Sequence, residues 1–141
     1  MNMQGSTTRS EIRRIKRICR KILGSLSSSA EIHVLEEVEN LKGIPHCDAV
    51  IKLGKCIILL EITGRVTPSD DLKKLNSTLL HLGKIISDFA LHRFKILPII
   101  HMRKISSMDV RIVRCSRVNR IPIMLIKCHE KLKETLISHC I

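Results

Sequence analysis

The sequence predicts a compact α/β domain, and three observations carry that prediction. Apolar stretches of strand length, Asp48–Leu53, Cys56–Thr63 and Lys95–His101, are spread along the chain. Between them, Leu72, Leu75, Leu79, Leu82 and Ile86 recur at helical spacing. The 141 residues are 44% hydrophobic with a mean hydropathy of +0.11, enough apolar side chain for one core of sheet plus helices. No internal repeat or interior linker divides the chain, so residues 1–141 read as one domain.

Met1 to Thr8 reads as a flexible start, followed by a helix from Glu11 to about Leu23. Ser10 can cap it; Ile12, Ile15, Cys19 and Ile22 share one face, and Arg13, Arg17, Arg20 and Lys21 lie elsewhere. Gly24-Ser-Leu-Ser-Ser-Ser ends the helix as a loop. Glu31 to Val38 reads as a strand, its glutamates leaving a helix open, and Leu41 to Pro45 as a connection. Asp48–Leu53 and Cys56–Thr63 form a hairpin about Gly54-Lys55.

Pro68-Ser69-Asp70 starts a long helix whose pattern runs to about His92. Lys95–His101 is a strand despite Pro98, and Ser107 to about Val118 a short basic helix with Arg111, Arg114 and Arg117 at steps of three. Ile121–Lys127 is a strand placed at an edge by Pro122. His129 to Cys140 closes as a helix with Leu132, Leu136 and Ile137 inward. Helices between strands imply layers on a sheet.

The net charge is +12 with a pI near 9.9, and it is unevenly spread. Residues 1–23 hold seven Lys/Arg against one acid and residues 93–120 eight against one, while residues 24–92 hold seven against nine. Surface Lys and Arg usually form a solvated face, but two basic segments of this strength favour a polyanionic partner. Phe89 and Phe94 are the only aromatics, which excludes base stacking on aromatic rings as the main recognition device. No apolar leader follows the basic N-terminus, and no apolar run approaches membrane-spanning length. The expectation is a cytoplasmic protein in a reducing compartment, with no membrane partner, whose six cysteines mostly serve as small core residues. His46-Cys47, Cys128-His129 and His139-Cys140 lack the C-x-x-C spacing that nucleates structural zinc sites.

The acids of the hairpin carry the most chemical information. Cys56-Ile-Ile-Leu-Leu is wholly apolar up to Glu61, and a carboxylate there is costly unless paired, metal-bound or at the exposed strand end. With period two, Glu61, Thr63 and Arg65 share one face, as do Asp48, Val50 and Lys52 on the preceding strand. Folding about Gly54-Lys55 brings Asp48 to the level of residues 61–63, so two carboxylates converge. Paired oxygen ligands with an open position suit Mg²⁺ or Mn²⁺. The same acids also read as structural ion pairs with Lys52 and Arg65. Glu11 reads as a first-turn acid favoured by the helix dipole, and Asp70 and Asp71 as first-turn acids of the long helix.

The order helix, three strands, helix, strand, with Pro45-His46-Cys47-Asp48, twelve residues, then Glu61-Ile62-Thr63, resembles the core of the PD-(D/E)xK, restriction-endonuclease-like nuclease superfamily. Within it the chain looks most like archaeal Holliday junction resolvases and related small endonucleases. The resemblance covers about residues 10–100, with residues 101–141 a helix–strand–helix extension. It implies metal ligation by Asp48 and Glu61, a supporting Glu11, DNA as partner (branched DNA included) and a homodimer. The superfamily's catalytic lysine falls on Thr63, whose neutral hydroxyl cannot supply a cation. Arg65, Lys52, or Lys73 or Lys74 at the start of the long helix are the substitutes the resemblance allows.

Two functions follow. One is a metal-dependent DNA endonuclease gripping phosphates through Arg13, Arg17 and Arg20 and through Arg111, Arg114 and Arg117. The alternative is a catalytically inactive DNA-binding or assembly module on the same fold. A basic domain docking on RNA or ribosomes is a third reading, which needs no convergence of Asp48 with Glu61.

Overall fold

The apolar run at Cys56 becomes the centre of a sheet. The computed structural model describes residues 3–87, 91–127 and 132–141, with side chains described from Arg9 onward. In chain order the regular elements are α1 (Met3–Leu23), β1 (Glu31–Val34), β2 (Ala49–Leu53), β3 (Cys56–Ile62), α2 (Lys73–Leu80), β4 (Lys95–Met102), α3 (Ser107–Arg114), β5 (Arg117–Val118), β6 (Ile121–Pro122), β7 (Met124–Lys127) and α4 (Lys133–Cys140). Five strands form a mixed sheet in the order β1-β2-β3-β4-β7. β1 to β3 are an antiparallel meander, and β4 and β7 add in parallel. The fold is mixed α/β, with four α-helices among the described residues.

Strand alternation sorts the core into two layers. Cys56, Ile58 and Leu60 pack with Ala49, Ile51 and Leu53 against Ile15, Cys19 and Ile22 of α1 and Leu136 of α4. Ile57 and Leu59 point the other way, with Val50 and Ile100, against Leu75 of α2 and Val113 of α3. A central strand covered on both faces must be apolar along its whole length, as β3 is up to Glu61.

Several elements differ from the sequence expectation. α1 begins at Met3, so the helix already runs through what reads as a flexible start and past the cap expected at Ser10. The first strand ends at Val34 rather than Val38. There the Leu35 N–H still bonds the Asp48 carbonyl at 3.1 Å, and Leu35–Glu37 then close a turn that leaves Glu36 and Glu37 to solvent. The long helix from Pro68 is interrupted. A wide turn at Pro68–Leu72 leads into α2, which stops at Leu80 because His81 leaves helical geometry and its Nδ1 bonds the Ser77 carbonyl at 2.7 Å. Residues 88–90 of that expected helix, with Phe89, lie outside the described residues.

The basic helix also ends early, at Arg114. The Ser116 hydroxyl donates to the Ile112 carbonyl and Arg117 Nη1 to the Arg114 carbonyl, taking up the last acceptors of the turn. Arg117 therefore sits on β5 and not on the helix face of Arg111 and Arg114. Asn119 and Arg120, both at positive φ, turn the chain from β5 into β6. The expected strand Ile121–Lys127 splits there, and only its second half, β7, joins the main sheet, at its edge. In α4, Leu132, Leu136 and Cys140 recur every four residues and face inward, which turns Ile137 outward, 43% exposed. His129 and Cys128 lie outside the described residues.

Cys19 and Cys47 are buried thiols, as expected of core cysteines, and burial pushes both up to about 12. Cys115 is exposed, and Cys56 is disulfide-bonded to Cys140, so these three depart from the small-core role expected of most cysteines. Proximity explains the pair: the end of α4 lies on the β2–β3 turn, where the Lys55 N–H donates to the Cys140 carbonyl at 2.6 Å. Gly54 there has a φ of +54°, and a Cβ would collide with that same carbonyl.

Candidate active site

Glu61 is the sixth residue of β3 and points to the α2 face, following Ile57 and Leu59. It is 2% exposed. Asp48 immediately precedes β2 and is tied to the end of β3 from both sides. Its N–H donates to the Leu60 carbonyl at 3.0 Å, and its Oδ2 accepts from the Ile62 N–H at 2.7 Å. Hairpin register thus puts Asp48 at the level of residues 60–62, with its carboxylate on the backbone of Ile62.

A third and a fourth acid come from the turn into α2. The Thr67 N–H donates to Asp71 Oδ2 at 2.7 Å and the Asp71 N–H to the Thr67 carbonyl at 2.7 Å, a reciprocal pair that pins Asp71 inward, 2% exposed. Carboxylate oxygens of Glu61, Asp70 and Asp71 all lie within 4.8 Å of one another. Lys74, one turn beyond Asp70, has its Nζ 3.2 Å from Asp70 Oδ2 and 3.7 Å from Glu61 Oε2. Thr78 holds this helix in place, since its hydroxyl accepts from the Cys47 N–H at 2.8 Å and donates to the Lys74 carbonyl at 2.7 Å. The segment leading to Asp48 and the helix carrying Lys74 are thus joined directly.

The acids crowd together with little solvent between them. Burial first, then Asp71 and Asp48, push the Glu61 carboxyl up to about 10, against a smaller opposing pull from Lys74. Glu61 Oε1 is buried with no hydrogen-bond partner. Carboxylates only accept, so an oxygen facing other carboxylates is satisfied by a proton or by a metal ion. Burial would lower Lys74, but Glu61 and Asp70 outweigh it and hold the ammonium above its ordinary range. Of the two carboxylates beside Lys74, Asp70 is the nearer.

The other expected participants lie elsewhere. Glu11 is half exposed and paired with Arg14 at 3.1 Å, on the helix that covers the opposite face of the sheet from α2. Lys52 stands opposite Ile57, about 13 Å along the strand from the level of Glu61 at ~3.3 Å per residue, with its ammonium over the Phe94 ring. Thr63 closes a turn with Arg65, its hydroxyl donating to the Arg65 carbonyl at 2.9 Å. Arg65 lies beyond that turn, exposed, and its charge acts on Asp109. Lys73 is exposed, so of Lys52, Arg65, Lys73 and Lys74 only Lys74 comes within ion-pair distance of Glu61.

On the α1 side of the same strand end lies a basic cavity of about 590 Å³. Arg14, Arg17, Lys21, Arg103 and His101 line it, together with Thr63 and Gly64. Arg13 and Arg20 are exposed on the same helix but do not line it. Arg111 and Arg114 border a separate shallow surface with Cys115. Sequence reading misses Asp71, Arg14, Lys21, His101 and Arg103, since only the fold brings a turn, a helix and two strand ends together. The one local signal is Pro68-Ser69-Asp70-Asp71, paired acids just after the strand that carries Glu61.

Compared with protein-family models, curated proteins and solved structures, the chain matches none. No helix among the described residues is long and apolar enough to cross a membrane.

Proposed function

We propose that the protein is a metal-dependent DNA endonuclease on a restriction-endonuclease-like core. The carrying observation is the buried, donor-less Glu61 Oε1 among Asp48, Asp70 and Asp71, with Lys74 beside it. The element order supports the reading: a helix, an antiparallel meander, a helix on the opposite face, then a parallel strand. The lysine expected at Thr63 has a substitute in Lys74, which approaches the same carboxylate from α2.

Glu61 with Asp71, and Asp48 or Asp70 from either side, would hold a divalent cation such as Mg²⁺ or Mn²⁺. Bound there, the ion would polarise a phosphoryl oxygen and acidify a water. Lys74 stabilises negative charge gathering at the attacked phosphate, a task for which Thr63 lacks the charge. Arg17, Lys21 and Arg103, on the α1 face of the sheet at the same strand end, hold the flanking backbone.

The test is nicking of supercoiled, branched and single-stranded DNA with Mg²⁺, Mn²⁺ or chelator. Metal-dependent cleavage lost in Glu61→Gln supports the nuclease. DNA binding without cleavage under every metal condition would leave the inactive DNA-binding module instead.

A further inference from the structure

The basic cavity under α1 has features that gripping a strand does not require. Its described lining contains Arg14, Arg17, Lys21 and Arg103 and no carboxylate. Arg14 is partly offset by Glu11 at the rim, but Arg17, Lys21 and Arg103 have no ion-pair partner among the described residues. Like charges gathered in one concavity repel unless an anion sits between them. His101, 7% exposed, also lines this cavity, and its Nδ1 has no hydrogen-bond partner. Burial, then Arg14 and Lys21, which line the same cavity, hold its imidazole below the ordinary range.

The remaining wall is apolar, formed by Ile18, Ile22 and Ile62. Gly64 leaves open space at the mouth, since a Cβ there would meet nothing within 4 Å. The cavity volume falls within the roughly 300–1,000 Å³ of small-molecule sites and is far larger than one phosphate needs.

We propose that this cavity binds a nucleotide by its phosphomonoester, with the phosphoryl group on the cations and the nucleoside against the isoleucines. The ligand is a free mononucleotide or the phosphorylated end of a nucleic-acid strand, since both present the same dianion. The strand-end source rests on the nuclease reading; the free-nucleotide source does not.

The experiment has two arms. Thermal shift with inorganic phosphate and with AMP tests the free ligand, and fluorescence anisotropy with 5′-phosphorylated, 3′-phosphorylated and unphosphorylated oligonucleotides at fixed salt tests the strand end. Arg103→Ala and Lys21→Ala, both at exposed positions, should weaken phosphomonoester binding about tenfold. Arg13→Ala and Arg20→Ala remove the same charge outside the cavity and should change it less than about twofold. Glu61→Gln should leave it unchanged, so failure of the metal site and failure of this site are read separately. A saturable AMP response assigns a free nucleotide; an end preference without one assigns a strand terminus. No response to AMP or phosphate together with equal binding of the three oligonucleotides would overturn the proposal. So would equal losses in Arg13→Ala and Arg103→Ala.

Discussion

The two faces of the sheet meet at the end of β3 with opposite charge. Under α2, Glu61, Asp71 and the flanking Asp48 and Asp70 crowd carboxylates into a site where Glu61 and Asp71 are almost fully covered. Under α1, one residue further along, Ile62 opens onto four cations around a solvent-reached cavity. The difference lies in solvation. Buried acids repel one another with little screening, so they retain protons or gather a cation. Exposed arginines and lysines stay charged at modest cost and wait for an anion. The two charges belong to opposite faces of the sheet, and strand alternation places them at consecutive residues, Glu61 and Ile62.

The sharpest way to break this contrast is Glu61→Gln, which keeps shape but removes a ligand. Metal-dependent nicking should fall on the order of a thousandfold, with DNA binding retained. Next, Lys74→Ala should lower nicking about a hundredfold while Lys73→Ala, one position away and exposed, stays near wild type. Equal effects of the two in a plasmid-nicking assay would remove Lys74 from the site.

The segment that leaves β3 is tied to α3 by the buried Asp109. Its Oδ1 accepts from the Val66 N–H at 3.0 Å, and its Oδ2 from the Ser106 N–H at 2.9 Å and the Ser106 hydroxyl at 2.7 Å. These bonds, Ser106 first and Val66 next, hold the carboxyl below its ordinary 3.8. Asp109→Ala should cost about 1–3 kcal/mol by chemical denaturation at neutral pH. A depressed folded-state pKa stabilises above the unfolded value. That contribution is therefore full above about pH 5 and lost as pH falls through 3.8 toward the folded value. Asp109→Asn should flatten that part of the pH–stability curve.

Smaller effects sharpen the basic side. Arg17→Ala should reduce the slope of log K against log salt for DNA binding by about one. Glu11→Gln, which frees Arg14 from an exposed pair, should tighten DNA binding by no more than about threefold.

The candidate site was legible where one strand pair carries it. The register about Gly54-Lys55 alone brings Asp48 beside Glu61. Asp71 was not, because a first-turn acid is ordinarily solvated and only the wide turn at Pro68–Leu72 with its bonds to Thr67 turns it inward. Arg13 and Arg20 looked equivalent to Arg17 along the sequence, yet the direction in which α1 crosses the sheet selects Arg14, Arg17 and Lys21.

The sequence by itself determined the layered α/β order, the apolar central strand and the meeting of Asp48 with Glu61, because periodicity and hairpin register act over a few residues. Only the tertiary structure decided the remaining acids, the choice of Lys74 over Lys73, Lys52 and Arg65, and which cations share a cavity. Those depend on where a helix begins, how it is rotated and what it covers, and these are set by packing across the sheet.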